Sequence, residues 1–439
     1  MNTKTLILGT AAALSAVASA ATVTVDAVKQ RFPWNGIVDI TYTLGLGENE
    51  VLGIDDEVEF SYERTDVSPV VRHRIANFLE APIPKAAGTH HLTWDANYEG
   101  FSEAAESCRI TARIVHHPEM YMVIDISEGP NATVYKTDFV SGQPAGGFNQ
   151  NLYKGDRIVF RRIPPGSYMA GQASGVWKSA VTQHRVAITN AFYLAIFETT
   201  QKQYMNVMGK NQAESYIGDY RPIDHATING MRGTANTTTH LYDWPWNNDV
   251  APNTILGKLR AKCRMKDASG AYTLEVGAFD FPTEFFWEYA CRAGTTTTFN
   301  DGTPISSSAK DAEVNAALGK IARFNKNLTD GRGGYDYGTS IVGSYAPNAW
   351  GLYDMHGNLW EFCLDYKCAN PSELKQYLNP VGPSIGDGNN TYRHVRGGSC
   401  RTANTICPSA NRGQVGPGMD WDVNYSATLR ICVAAPEGR

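Results

Sequence analysis

The chain has 439 residues, with 39 Lys or Arg and 44 Asp or Glu, so its formal net charge is −5. This length predicts two or three domains, each large enough to bury a hydrophobic core. The charges are scattered, without the clusters of Lys and Arg that follow phosphate groups, which argues against nucleic acid as a partner.

The amino end has the features of a signal peptide. Lys4 precedes an apolar run, and the small residues of Ala18-Ser19-Ala20 stand at a cleavage position. A membrane anchor is the alternative, but the run is shorter than the roughly 20 residues of a spanning helix, and no later segment is long and apolar enough to span. We therefore expect residues 1–20 to be removed and the protein to be exported to the periplasm, the cell surface or the medium.

Residues 22–126 carry short runs in which apolar and polar residues alternate, such as "VDITYTL", "EVEFSYE", "HHLTWDA" and "MYMVIDI". Alternation of this kind predicts antiparallel strands with one buried face, and we expect a small all-β sandwich of immunoglobulin or fibronectin type. Residues 127–156 are rich in Gly, Pro, Asn and Ser and are predicted to be a linker.

The remaining residues, 157–435, mix strands, helices and turns. The strand "AFYLAIFE" gives way at Thr199-Thr200 to a helix through "QKQYMNVM", and a second helix runs through "NTILGKLRAKC". A third helix, "TEFFWEYACRAG", has Thr283 as its N-cap and Gly294 as its stop. The rest is turn-rich and aromatic, so the sequence predicts an irregular α+β domain.

Five stretches of this domain, in this order, resemble the formylglycine-generating enzyme family, also called sulfatase-modifying factors: "FYLAIFETTQKQY", "RPIDHATINGMRG", "FDFPTEFFWEYACRAGT", "NAWGLYDMHGNLWEFCLDY" and "VRGGSCRTANTICPSANR". The resemblance covers residues 157–435 and leaves the N-terminal sandwich outside. It implies a C-type-lectin-like fold, with Trp360 and Ser399 at the family's cleft.

The family's oxidising members place two cysteines, separated by four residues, after a "GGS" motif. These thiolates bind copper(I), a soft ion, and the enzyme uses oxygen to convert a sulfatase cysteine to formylglycine. Here Cys400 and Cys407 are separated by six residues, and Thr402 stands where those enzymes have the first of their two cysteines. We favour a lost or remodelled copper centre in a binding or structural module for a peptide, protein or glycan. The alternative is an active copper-dependent oxidase that uses Cys400 and Cys407.

The eight cysteines also permit disulfides, because the expected compartment is oxidising. Seven of them follow residue 260, so at least one free thiol is expected, and the sequence leaves the connectivity open. Cys407 with Cys291 is one possible pair, and the resemblance adds Cys263 with Cys432.

The resemblance further implies calcium at the "GLYDMHGNLWEF" segment. The matching positions are Asp354, Gly357, Leu359 and Glu361, which offer the carboxylate and carbonyl oxygens that calcium accepts. A solvated acid pair without metal is the alternative. His356 has no second histidine at ligand spacing and is predicted to be a hydrogen-bonded core residue. Arg396 and Arg412 are predicted to hold loops, and the pair Gly397-Gly398 to permit a close backbone approach.

Overall fold

The computed structural model describes residues 21–435 except 34, 48–49, 54–55, 65–68, 76, 81–82, 100–107, 173–181, 234–249, 307, 328–337, 368–377, 381, 383–391 and 417–426. The predicted signal peptide, residues 1–20, and Cys368 lie outside the described residues. Among the described residues, no helix has the length and apolar character needed to cross a membrane.

Two antiparallel sheets of three strands form an all-β N-terminal module around one core. The first sheet has the order β1-β2-β5, with β1 at Thr22–Gln30, β2 at Ile37–Gly45 and β5 at Gly88–Asp95. The second has the order β4-β3-β6, with β3 at Asp56–Arg64, β4 at Arg72–Ile75 and β6 at Cys108–His116. Every second residue of β2 is buried, as its sequence alternation predicts. The all-β module is therefore present, and its immunoglobulin or fibronectin topology stays a prediction.

A seven-stranded sheet is the centre of the second domain. Its order is β14-β13-β8-β7-β9-β12-β19, and only the pair β13 and β8 is parallel. The strands are β7 at Tyr121–Asp125, β8 at Tyr135–Val140, β9 at Arg157–Ile163, β12 at Phe192–Ala195, β13 at Cys263–Lys266, β14 at Tyr272–Glu275 and β19 at Cys432–Ala434.

Two smaller sheets are also present in the described part of this domain. One is a hairpin of β10 at Gly166–Ala170 and β11 at His184–Ile188. The other has the order β17-β16-β15-β18, with β15 at Trp360–Tyr366, β16 at Arg393–Arg396, β17 at Gly413–Val415 and β18 at Ala427–Thr428. The domain is thus a mixed, sheet-rich fold with few helices, in agreement with the predicted α+β class.

The predicted linker, residues 127–156, is instead part of the domain. It contains β8, and β7, which was predicted to belong to the sandwich, pairs with both β8 and β9. Met122 and Ile124 of β7 are fully buried in the domain core. Alternation shows which face of a strand is buried but not the sheet it joins, so the sequence placed the boundary too late. The structure places it near residues 117–120.

Six helices are found in the described part of the chain: α1 at Asn151–Gly155, α2 at Gln201–Met208, α3 at Ile228–Arg232, α4 at Ile255–Lys262, α5 at Glu284–Arg292 and α6 at Asp311–Leu318. The predicted caps are confirmed. Thr200 and Gln203 form a capping box at α2, and the Thr283 hydroxyl accepts a hydrogen bond from the Phe286 amide at α5. Helix α5 is buried along its whole length.

We predict that a fragment of residues 120–439 folds, whereas a fragment of residues 157–439 does not. The shorter fragment lacks β7 and β8, which lie in the middle of the seven-stranded sheet, so it would expose the inner edges of β9 and β13. Circular dichroism melting of both purified fragments tests this. A cooperative melting transition in the fragment that begins at Arg157 would contradict the revised boundary.

Candidate functional site

Buried ion pairs between α5 and the "VRGGSC" segment build the frame of the site. Glu284 accepts two hydrogen bonds of 2.6 Å from Arg412. Glu288 accepts one of 2.9 Å from Arg292 and another of 2.9 Å from Arg396. Arg396 also donates to the carbonyls of Ser409 and Asn411, at 3.2 and 3.1 Å. The two arginines therefore have the structural role that the sequence predicted for them.

Two glycines then turn the chain tightly after Arg396. Gly397 and Gly398 have φ angles of 91° and 80°, a region that other residues rarely adopt. A Cβ atom on Gly398 would lie 2.8 Å from Cys407 Sγ and 3.0 Å from Thr402 Oγ1. The close approach predicted for this glycine pair is confirmed, and it brings the Cys407 and Thr402 side chains against the backbone.

Thr402 and Cys407 form the pair at the centre of the candidate site. Thr402 Oγ1 lies 3.5 Å from Cys407 Sγ. The hydroxyl donates to the Ser399 carbonyl and accepts from the Ser399 amide, both at 2.9 Å, so its position is fixed. Burial raises the pKa of Cys407 to about 12, and its thiol is therefore protonated at neutral pH. The two side chains in contact at this position are therefore one thiol, that of Cys407, and one hydroxyl, that of Thr402.

Cys400 lies in a different environment. Its amide donates to the Asn358 carbonyl at 2.8 Å, and burial raises the pKa of its thiol to about 12. All seven described cysteines are free thiols. Accordingly, none of the predicted disulfides, Cys291 with Cys407 and Cys263 with Cys432, is present. A copper(I) ion needs two sulfurs within bonding reach, and the donors around Cys407 do not fit that requirement.

His356 takes the core role that the sequence predicted. Its Nδ1 lies 2.7 Å from the Cys407 carbonyl, while its Nε2 accepts from the Asn300 amide at 3.2 Å. These contacts place the proton on Nδ1. Burial lowers the pKa of His356 to about 4, so the ring is neutral. The Cys291 thiol lies 3.8 Å from the same Nε2, which gives that cysteine a neutral hydrogen-bonding environment.

Asp354 provides an open oxygen in the segment expected to bind calcium. Its Oδ2 accepts from the Gly343 amide at 2.7 Å, while Oδ1 is buried and has no hydrogen-bond partner among the described residues. Burial raises the pKa of this carboxyl to about 6. A buried carboxylate oxygen without a partner is costly unless a cation or a proton satisfies it. This position therefore suits a calcium ligand.

Glu361 is already engaged by other groups. Arg430 donates to its two oxygens at 2.6 and 2.8 Å, and the Trp287 indole N–H donates to Oε2 at 2.6 Å. Gly357 lies against the Arg323 carbonyl, and the Leu359 amide donates to Glu198 at 3.0 Å. In the described part of the chain, no group of three or more His, Cys, Asp or Glu side chains is arranged to hold a metal. The predicted calcium ligands thus fit only in part.

Two residues that were not predicted from the sequence, Glu198 and Asn358, hold the "GLYDMHGNLWEF" segment in place. Asn358 Nδ2 donates to Glu198 Oε2 at 2.5 Å, and Asn358 Oδ1 accepts from the Ser340 amide at 2.9 Å. Burial raises the pKa of Glu198 well above its usual range, and the charges of Asp354 and Glu361 raise it further. Glu198 ends the "FYLAIFE" stretch, but 160 residues separate it from Asn358, so sequence spacing gave no sign of the contact.

The two predicted cleft residues are both buried. Trp360 belongs to the core of the domain, where its ring lies against Gly413. Ser399 is fully buried, and its hydroxyl accepts from the Arg401 amide at 3.3 Å. Arg401 is the exposed residue of this turn. It donates to the Tyr216 hydroxyl at 2.8 Å, and its guanidinium lies 5.7 Å from the centre of that ring.

Comparisons with known proteins match the same domain. Residues 150–422 match the description of a sulfatase-modifying factor enzyme 1-like domain. A formylglycine-generating enzyme of Mus musculus is 32% identical over 203 residues, which are 45% of this chain and 46% of that enzyme. The chain thus spans about half the length of this curated relative.

Two further relatives have other names. Chaperone protein LppX of Paenibacillus barcinonensis is 26% identical over 242 residues, which are 52% of this chain and 75% of that protein. The solved structure of PvdO from Pseudomonas aeruginosa aligns with 63% of this chain and 94% of its own, at 18% identity and a TM-score of 0.46.

Because Glu284 of α5 takes part in buried ion pairs, we predict that Glu284→Gln lowers the stability of the fold by an amount that depends on pH. Burial alone would raise the pKa of Glu284, but the charges of Arg412, His394 and Arg396 outweigh it and hold the pKa at about 2. At pH 7 the substitution leaves buried arginine charge unpaired and should cost about 3–5 kcal/mol. The stabilisation by ionised Glu284 is complete above its ordinary pKa of 4.5 and is lost as the pH falls toward 2.

Urea denaturation at pH 7 and pH 3 measures the difference in the free energy of unfolding between the wild type and Glu284→Gln. This difference should be smaller at pH 3. Glu275→Gln is the control, because Glu275 is 81% exposed and its contact with Arg264 is 3.8 Å. Its effect should stay within about 0.5 kcal/mol at both pH values. An equal loss for Glu284→Gln at both pH values would contradict the role of its charge.

Proposed function

The chain belongs to the family with a sulfatase-modifying factor enzyme 1-like domain, and we propose that within it this protein is a binding module whose copper–cysteine centre is lost. The observation that carries the proposal is the 3.5 Å contact between Thr402 Oγ1 and Cys407 Sγ. A hydroxyl is harder and far less acidic than a thiol, so it does not replace a thiolate as a ligand of copper(I). We propose that Cys400 does not compensate, because it stands two residues before Thr402 in the sequence.

The partner that we propose is a peptide or glycan that carries an acidic group. Arg401 is exposed beside Tyr216, and its planar donor fork suits a carboxylate. The Tyr216 ring is itself buried, and it holds the Arg401 guanidinium in position through the hydroxyl contact. One relative, LppX, is named a chaperone protein, and that name supports a role in binding a protein segment. We also propose export, on the signal-peptide features of residues 1–20.

The alternative function is a copper-dependent oxidase that acts on a sulfatase cysteine. It requires Cys400 and Cys407 to bind one copper(I) ion together. The two functions therefore differ in copper affinity and in product, and Thr402 is the residue at which they can be separated.

We predict that the wild-type protein forms no aldehyde in a cysteine-bearing sulfatase peptide supplied with copper(I), reductant and oxygen. Mass spectrometry of the peptide is the measurement. Thr402→Cys should restore a second sulfur beside Cys407, and competition with bicinchoninate should show copper(I) binding on the order of 100-fold tighter than in the wild type.

Cys407→Ser in the Thr402→Cys background is the control, and it should abolish the gain in affinity. Copper-dependent aldehyde formation by the wild type, lost in Cys407→Ser, would establish the oxidase function instead. Arg401→Ala tests the binding surface. In fluorescence anisotropy, it should weaken the binding of an acidic peptide more than the binding of the amidated form of the same peptide.

We further propose that Asp354 holds a structural calcium ion through its open Oδ1 atom, with backbone carbonyls of the same segment. A hundredfold excess of calcium over Kd should stabilise the fold by about 2.7 kcal/mol. Thermal melting with calcium and with EDTA should show this shift in the wild type and not in Asp354→Asn. Asp301→Asn, in an exposed turn, is the control that should keep it. Identical wild-type curves with calcium and EDTA would contradict the site.

A further inference from the structure

A cavity of about 510 Å³ lies between the N-terminal module and the second domain. The module contributes residues of β3 and β4 and the segment that follows β4, including Phe78 and Leu79. The second domain contributes β10, the end of α5 and Trp350. Ligand sites of proteins occur preferentially at domain interfaces and have volumes of about 300–1,000 Å³. Neither the copper–cysteine position nor the calcium segment takes part in this cavity.

Hydrogen bonds across the interface hold the cavity open. The Ser167 hydroxyl of β10 donates to the Phe78 carbonyl at 2.9 Å, and the Arg185 guanidinium donates to the same carbonyl. Phe78 belongs to the core of the N-terminal module, whereas Ser167 and Arg185 belong to the second domain. The space is therefore enclosed by two modules that are fixed to each other.

The carboxylates on the module side of the cavity are already satisfied by the protein. Glu59 accepts from Arg113 at 2.7 Å, Glu57 lies 2.9 Å from His117, and Arg74 pairs with both glutamates. On the other side, Arg292 donates to Glu288 and to the Gly171 carbonyl, at 2.9 and 2.8 Å. A charged ligand would have to compete with these pairs, so the lining favours an uncharged one.

The wall formed by the second domain is aromatic and includes the hydroxyl of Tyr289. The ring of Tyr289 lies 5.3 Å from that of Tyr168 and 5.1 Å from that of Trp350. Tyr168 donates its hydroxyl to the Phe285 carbonyl. The structure gives the Tyr289 hydroxyl no hydrogen-bond partner within the described residues. This hydroxyl lies against Gly166, where a Cβ atom would come within 2.5 Å of the oxygen.

We propose that this cavity binds a small, uncharged, largely aromatic molecule that carries a carbonyl or similar acceptor oxygen. The apolar lining and the rings of Tyr168, Tyr289 and Trp350 bury the body of the ligand. The Tyr289 hydroxyl, which burial keeps protonated by raising its pKa, donates to the acceptor oxygen. Because both modules line the cavity, a bound ligand also strengthens their association.

The probe for the test is 6-propionyl-2-(dimethylamino)naphthalene, an uncharged aromatic ketone whose emission shifts to shorter wavelength in apolar surroundings. Titration of the full-length protein should show saturable binding of one probe per chain. Tyr289→Phe keeps the ring but removes the hydroxyl donor. It should lower the affinity for the probe by about 3- to 10-fold, which is the effect of losing one neutral hydrogen bond.

Leu79→Trp is designed to block the cavity. Leu79 is 46% exposed at the lining, so the larger side chain can be accommodated without disturbing a core. The matched control is Leu274→Trp, since Leu274 is 44% exposed on β14 and does not line the cavity. The first variant should lose probe binding and the second should keep it, while both keep the wild-type melting temperature without probe.

The probe should also slow proteolysis at residues 117–120, which connect the modules, in the wild type and not in Leu79→Trp. An anionic counterpart, 8-anilinonaphthalene-1-sulfonate, should bind at least about 10-fold more weakly, because Arg74 and Arg292 of the lining are already paired with glutamates and Lys85 donates to the Gly53 carbonyl. The proposal is overturned if the ketone does not bind saturably. It is also overturned if Leu79→Trp and Leu274→Trp bind the ketone equally, or if the sulfonate binds as tightly as the ketone.

Discussion

The fold of the second domain depends on the need to neutralise two glutamates on a helix that has no exposed side. Glu284 and Glu288 of α5 are both buried, and their partners Arg396 and Arg412 come from a segment more than 100 residues later. Removing one partner of such a pair costs about 3–5 kcal/mol, because the remaining charge is left buried. The helix therefore determines where the "VRGGSC" segment lies, and that segment carries the candidate site.

The same frame also explains how the candidate site keeps its shape. Trp287 of α5 donates to Glu361, which is paired with Arg430, so the helix also fixes the "GLYDMHGNLWEF" segment. Gly398 then lets Cys407 and Thr402 meet against the backbone. The contacts among Trp287, Glu361 and Arg430 use no cysteine. The ion pairs that stabilise the domain therefore do not depend on the hydroxyl that Thr402 places beside Cys407.

Local signals predicted much of the fold, and contacts distant in sequence escaped prediction. The caps Thr200 and Thr283 are chemical signals within one helical turn, and both helices begin where expected. The strand "YKTDFV" was hidden in a stretch rich in turn residues, and its place beside β7 depends on tertiary pairing. In the same way, the family resemblance implied Glu361 as a calcium ligand, whereas its pairing with Arg430, 69 residues away, could not be predicted from the sequence.

Helix α5 also relates the candidate site to the cavity between the modules. Glu288 holds Arg396 on one side of the helix, and its neighbour Tyr289 lines the cavity. A ligand in the cavity could influence the site near Cys407 by shifting α5. Such a shift would separate the pairs of Glu284 and Glu288, whose loss is far more costly than the single hydrogen bond that Tyr289 offers a ligand. We therefore expect the two sites to act independently, because the ion pairs of Glu284 and Glu288 hold the helix between them in place.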